Sequence, residues 1–275
     1  MNIVEPMVEL WNNYNSDAHV ARCARVCYGK ESGNDEKLIT ALKNNKHHSM
    51  FRHDTKYVIL HFGHGVICWE MALGYLEITQ SNKVVGIDVK QDRDTIFMVV
   101  NGQWILEHEI EWEYLQEFEV DAKEFEQYEI GFNMIRYTFK VVTQISTTRE
   151  LNRVSPNNIA ERSTRYVSEN GTIVRPHWFI NSSETTNEEV VYLNSCIRAF
   201  DDYNTLIKQG IKKQDARGVM PLDTMTIAIY TYSIEEWRDI IDLRYYGTTG
   251  APHPNAKIIA GMIREQLIEL GYDFR

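Results

Sequence analysis

The stretch RELNRVSPNNIAERSTRYV, residues 149–167, sets Arg149, Arg153, Arg162 and Arg165 among Glu150, Glu161, Ser163 and Tyr166. A guanidinium fork takes a carboxylate or a phosphate through two parallel hydrogen bonds. A hydroxyl and a carboxylate beside it complete a seat for a phosphate and a sugar. Read as helix, Arg149, Glu150 and Arg153 are neighbours one turn apart. Pro156 disfavours helix at Ser155, so SPNN ends that helix. RSTRYV then alternates, which predicts Glu161, Ser163 and Arg165 on one face. Two readings fit these residues: a seat for a phosphorylated sugar, or a network of surface ion pairs.

Two later arginines bear on the choice. Arg217, in DARGVMP, precedes Pro221 in an apolar neighbourhood, and Arg244, in IIDLRYY, ends an apolar helix. A guanidinium buried there needs an anion beside it; the alternative is a helix-end arginine facing water.

The rest of the chain bounds the ligand. A net charge of -10 disfavours a nucleic-acid groove, which needs dense Lys and Arg. It leaves room for a small phosphorylated ligand on a local arginine cluster. The four cysteines, Cys23, Cys27, Cys68 and Cys196, include no second closely spaced pair and read as reduced, mostly buried thiols of a cytoplasmic protein. His47, His48 and His53, in KHHSMFRH, lack a carboxylate or thiol at ligand spacing, so no metal is expected. MNIVEPMVELW lacks the basic and apolar regions of a signal peptide, and no apolar run reaches membrane-spanning length. A soluble, intracellular protein is expected.

The elements that must position these residues follow from periodicity. Helices are predicted over 17–28, capped by Asp17, and over 34–45, capped by Asn34 or Asp35. Strands are predicted over 55–62, over DTIFMVV, and over 134–146, with Ile135, Tyr137, Phe139 and Val141 on one face. The arginine stretch starts where that last strand ends. A long helix over 184–209 shows an apolar stripe of Val190, Leu193, Ile197, Phe200 and Leu206. Ser233 and Glu236 make a capping box for SIEEWRDIIDLR, and a last helix runs from about Pro254 to Gly271. With 275 residues, 43% hydrophobic, and no repeat or linker, the chain is expected to form a single α+β domain.

Several of these residues resemble the flavin-dependent thymidylate synthases, the thymidylate synthase complementing proteins. Their signature reads R-H-R-x-x-S-x-N-E-x-S-x-R-Y. Arg153 fits its first arginine, and Glu161, Ser163, Arg165 and Tyr166 fit its end. CARVCY, residues 23–28, is similar to the family's AARV-S/C-Y. His47, Ser49, Phe51 and His53 resemble its histidine turn. Ala216, Arg217, Met220 and Pro221 resemble A-R-x-x-L-P, and Leu243-Arg244 its helix-ending L-R. The ending I-A-E-x-S-T-R-Y resembles the branch with a long insertion ahead of the signature, which would be residues 63–128 here.

The resemblance implies one domain over residues 1–275, with a central antiparallel sheet and flanking helices, assembled as a homotetramer. It implies FAD as cofactor, with NADPH and methylenetetrahydrofolate as co-substrates, and conversion of dUMP to dTMP. Catalytic roles would fall to Arg244, Arg153 and Glu161. Ser163, Arg165 and Arg217 would hold the phosphate, with Glu150, Arg153 and Glu161 near the nucleotide and Arg244 against the uracil. His47, Ser49, Arg153, Ser155, Ser233 and Asp239 would line the flavin side.

This chain departs from the family pattern mainly there. Val154 and Ser155 replace the second and third residues of R-H-R, Asn158 and Ala160 stand for its Ser and Asn, and Arg52 replaces the Glu of the histidine turn. Glu150 stands where many members have Gln, and Ser233 and Asp239 where members have Asn. A charge-assisted hydrogen bond to a phosphate contributes ~1.5–3 kcal/mol, so two or three such losses would weaken flavin binding by orders of magnitude unless other residues, such as those of the insertion, replace the contacts. Beside that compensation stand two alternatives: a changed activity, by methylation or hydroxymethylation of another pyrimidine deoxynucleotide or another handling of the flavin, and nucleotide binding without catalysis.

Overall fold

The computed structural model describes residues 1–11, 16–61, 87–92, 95–154, 158–180 and 185–274. Its centre is a four-stranded antiparallel sheet in the order β2 (Met7–Trp11), β7 (Arg136–Gln144), β10 (Met225–Ser233) and β8 (Ile159–Glu161). β7 and β10 pair along their whole lengths, from Gln144 opposite Met225 to Arg136 opposite Ser233. A second four-stranded antiparallel sheet runs β4 (Ile87–Asp92), β5 (Thr95–Asn101), β3 (Thr55–His61) and β6 (Glu119–Val120). β1 (Asn2–Val4) and β9 (Thr172–Val174) form a separate parallel pair. The helices are α1 (Ser16–Cys27), α2 (Asp35–Asn44), α3 (Gly102–Glu107), α4 (Glu109–Leu115), α5 (Ala122–Phe125), α6 (Glu129–Met134), α7 (Ile145–Leu151), α8 (Asn187–Lys208), α9 (Lys213–Ala216), α10 (Ile234–Ile241) and α11 (Pro254–Glu269). The mixed helix and sheet composition agrees with the α+β expectation.

Register explains which residues meet on each face of the central sheet. Paired residues of antiparallel strands share a face, and the face alternates along the strand. Phe139 and Val141 therefore lie beside Tyr230 and Ala228, and they pack with Trp237 and Ile240 of α10 and Ile259, Ile263 and Leu267 of α11. The opposite face carries Ile229, Ala160 and Trp11 against Cys23 of α1. Glu161 pairs with Ala228, so it looks toward α7 and α10, on the face opposite α1.

The α1 face also holds a buried polar chain. His53 Nδ1 lies 2.7 Å from Thr231 Oγ1, which lies 2.7 Å from Thr138 Oγ1. Thr138 Oγ1 is 3.2 Å from His19 Nε2, itself 3.7 Å from Cys23 Sγ. Burial pulls His19 down to about 4 and His53 well below its ordinary value, so both rings are neutral at pH 7.

Two details of the helices differ from expectation. α1 starts at Ser16, which puts Asp17 inside the first turn, where its charge favours the helix dipole but does not cap it. α8 buries Cys196, Phe200 and Tyr203, while Val190 and Ile197 of the expected stripe are 43% and 41% exposed. The rotation follows from its N-terminus. Glu189 is buried because one carboxylate oxygen accepts the Ile180 N–H at 2.7 Å and the other the Thr186 N–H at 2.9 Å. Among the described residues, no helix is long and apolar enough to cross a membrane.

Candidate active site

α7 follows β7 directly, and its C-terminal end carries Glu150. Arg153 lies in the tight turn Asn152–Val154 that comes next. Glu150 Oε2 lies 3.6 Å from Arg153 Nη1 and 3.4 Å from Arg244 Nη1, so one carboxylate stands between two guanidiniums. The Arg153 side chain is 70% exposed and that of Arg244 only 15%. Arg244 Nε is buried without a hydrogen-bond partner among the described residues. Both ion-pair distances exceed the 2.7–2.9 Å of a charge-assisted hydrogen bond.

Arg244 reaches this place from a π-helical turn. α10 is capped by Ser233, whose side chain accepts the Glu236 N–H, while Glu236 accepts the Ser233 N–H. After Ile241 the helix widens into the π turn Asp242–Tyr246. Such turns are uncommon and recur at functional positions. Gly247 ends it at φ +72°, and a Cβ there would meet the Gly250 carbonyl oxygen at 2.8 Å and Pro252 Cδ at 2.9 Å. Only glycine suits that position.

Glu161 lies on the same face of the sheet as α7. Thr148 Oγ1 and Thr226 Oγ1 donate to its Oε1 at 3.0 and 3.1 Å. Burial raises its carboxyl above the ordinary value, against these hydrogen bonds and the charge of Arg149. Behind it, Tyr230 donates to Asn152 Oδ1 at 2.8 Å.

The predicted alternation of RSTRYV is not found. Strand pairing stops at Glu161, the Arg162 N–H donates to Ile227 O, and the Ser163 N–H to Cys27 O at the end of α1. Residues 163–167 then turn, with the N–H groups of Tyr166 and Val167 donating to Ser163 O and that of Arg165 to Ser163 Oγ. The hydroxyl of Ser163 competes with the strand ladder for local N–H groups, which favours a turn. Arg162 leaves the expected cluster and pairs with buried Glu169 at 3.3 Å.

Around this turn a second cationic group assembles. Arg217 Nη1 donates to Thr164 Oγ1 at 2.8 Å and its Nε to Gln214 O at 3.1 Å. The Arg165 guanidinium stands 5.4 Å from the Tyr166 ring centre. The structure thus brings Glu150, Arg153 and Arg244 together, and Ser163, Arg165 and Arg217 together. Glu161, which accepts from Thr148 of α7, and Ser163 of the turn are two residues apart, at most about 7 Å between Cα atoms.

The residues expected on the flavin side are more scattered. His47 and Ser49 are exposed, at and just inside the short 3-10 turn His48–His53. Ser233 is buried and engaged in its capping box, and Asp239 is exposed on α10. Ser155 lies outside the described residues, as do Cys68 and residues 63–86 of the expected insertion. The described remainder of that insertion builds the second sheet against β3 and packs Trp104 and Trp112 into its core.

Thr148, Asn152, Thr226 and Tyr230 are not marked by any motif, because their contacts depend on register. Lys213 is likewise outside every motif, and its Nζ donates to the Tyr166 carbonyl at 3.0 Å. Its spacing of four from Arg217 is the available signal.

The fold and site define an α+β protein with two cationic groups, one around Glu150 at the end of α7 and one around the turn that follows β8. Residues 126–270, more than half of the chain, match the model of the family described as thymidylate synthase complementing protein, and the chain belongs to that family. Comparison with curated proteins gives no match. Among solved structures, it is similar to a UMP/dUMP methylase, PolB, from Streptomyces cacaoi bound with 5-Br dUMP, at 17% identity and a TM-score of 0.47, over 98% of this chain and 93% of that one. The same methylase bound with 5-Br UMP gives 18% identity and a TM-score of 0.44, over 98% and 91%.

Proposed function

We propose that this protein transfers a one-carbon unit from methylenetetrahydrofolate to C5 of dUMP, giving dTMP, with NADPH as reductant and FAD as cofactor. Family membership supports the reading, and one observation carries it to a chemistry. Arg244 is mostly buried, paired at long range to a carboxylate it shares, with an Nε that lacks a partner among the described residues. A cation so held favours an acceptor that arrives with a ligand, and the carbonyl edge of a uracil ring is one.

In this reading Ser163, Arg165 and Arg217 hold the nucleotide phosphate. Arg244 lies against the base and stabilises negative charge on it, which makes C5 a better nucleophile. Glu161 and Glu150 would border the nucleotide, and Arg153 would bridge nucleotide and flavin. The C5–H bond breaks with loss of a proton, a bond forms from C5 to the methylene carbon, and that carbon is reduced to methyl. The reducing equivalents begin on NADPH, and tetrahydrofolate and NADP+ are the other products. No thiolate is needed. That fits the described cysteines, Cys23, Cys27 and Cys196, whose thiols burial pushes up and away from reactivity.

When bound, FAD relays the reducing equivalents. By its charge the exposed Arg153 guanidinium would take a phosphate of FAD, and by their chemistry the exposed His47 ring and Ser49 hydroxyl would hydrogen-bond its ring, with Ser155 proposed on the same side. The Ser233 hydroxyl fits less well, being committed to the α10 cap. Asp239 suits the hydroxyls of FAD and not its phosphates, for reasons of charge. A homotetramer in the cytoplasm belongs to this reading, and the exposed Val190 and Ile197 on α8 suit self-association.

A second reading, changed chemistry on another pyrimidine deoxynucleotide or binding without catalysis, is favoured by Glu150. Its carboxylate offsets part of the charge of both Arg153 and Arg244.

The test uses the purified protein with FAD, NADPH, methylenetetrahydrofolate and dUMP tritiated at C5. Tritium should enter water in step with dTMP formation. Bound flavin and bound dUMP without tritium release would sink the first reading in favour of the second.

A further inference from the structure

We propose that Lys213 completes a three-cation seat, with Arg165 and Arg217, that selects a phosphate monoester dianion. The inference rests on the nucleotide reading above and adds to it the residue that sets the charge of the ligand. Lys213 opens α9 and sends its Nζ to the Tyr166 carbonyl at 3.0 Å. Arg217, four residues on, reaches Thr164 Oγ1 at 2.8 Å in the same turn. Arg165 belongs to that turn, and Ser163 and Thr164 add two hydroxyls.

Charge makes this cluster unusual in its chain. The protein carries a net charge of -10. Yet among the described residues no carboxylate lies within ion-pair distance of Arg165, Lys213 or Arg217. Arg165 belongs to the turn, and Lys213 and Arg217 each donate to it from the neighbouring segment, so three cations border five residues and the arrangement favours an anion beside them. The contrast with the neighbouring group is direct. Arg153 and Arg244 share Glu150 and are partly neutralised, whereas the turn is not. Two charges on the ligand suit three on the protein, which points to a monoester, whose second pKa near ~6 leaves it dianionic at neutral pH. A diester carries one charge and fits less well.

The experiment measures dissociation constants by calorimetry for dUMP, inorganic phosphate and deoxyuridine, with wild-type protein, Lys213→Gln and Lys213→Arg. Gln keeps a donor for the Tyr166 carbonyl but removes the charge, and Arg keeps both. Lys213→Gln should weaken dUMP and inorganic phosphate by about tenfold, near the lower end of what a charge-assisted hydrogen bond contributes. Deoxyuridine should be unaffected, and Lys213→Arg should restore the phosphate ligands. Equal dUMP and phosphate binding in wild type and Lys213→Gln would overturn the proposal and leave Lys213 a structural cap. An equal loss for deoxyuridine would overturn it too, as a general disturbance of the site. If wild-type protein binds phosphate but not dUMP, and Lys213→Gln weakens phosphate, the seat stands and the nucleotide reading fails.

Discussion

Arg244→Ala should lower turnover of dUMP by roughly a hundredfold to a thousandfold, the range seen when one donor to a developing anion is removed. The expectation follows from where the side chain sits. It is mostly buried, on a π turn that glycine terminates, and its one described ion pair is a long contact to Glu150. Binding of dUMP should weaken far less, because the phosphate is proposed to rest on Ser163, Arg165 and Arg217, around the turn after β8 and apart from the Arg244–Glu150 pair. Steady-state kinetics and calorimetry on the same preparation separate the two effects. Arg244→Lys should recover only part of the loss, since an ammonium cannot reproduce the planar fork. Turnover within about threefold of wild type in Arg244→Ala would remove Arg244 from the chemistry.

Arg136→Met should cost about 4 kcal/mol of stability, at about 1 kcal/mol for each of the four buried acceptors it leaves without a donor. Arg136 opens β7 and is buried. Its Nη1 donates to Thr55 Oγ1 at 2.9 Å and Asp54 O at 3.3 Å, and its Nη2 to Arg52 O at 2.9 Å and Thr231 O at 3.1 Å. It therefore ties the histidine turn, the start of β3 and the end of β10 to one guanidinium. Met fills the space of the stem but leaves three carbonyls and a hydroxyl without their donor. A chain of this size should lose roughly 10 °C in its midpoint of thermal unfolding. A change of about 1 °C would show that water replaces the guanidinium at no cost.

How much of this is legible in the residues depends on the range of the interaction. The capping box of Ser233 and Glu236 spans three residues and is plain in the sequence, as is the Asn34 cap. β7 is legible because its apolar face alternates over nine residues, while β4, IDVKQD, hides in a polar segment and pairs only because β5 lies beside it. Arg244 stands out as a cation ending an apolar helix. Its π turn does not, because a period of 3.6 conceals one extra residue. The turn at 163–167 reads as strand, since RSTRYV alternates by chance while its Ser163 caps locally. The His53–Thr231–Thr138–His19 chain and the Arg136 ties link residues 80 or more apart in most contacts, and only the register of β7 on β10 reveals them.

The most direct test of the whole arrangement is a crystal structure of the protein with dUMP bound. The phosphate should lie on the turn at Ser163, within hydrogen-bond distance of Arg165 and Arg217, and the uracil should receive the Arg244 guanidinium. A nucleotide bound elsewhere, with Arg244 still paired to Glu150 and the turn at Ser163 untouched, would contradict it.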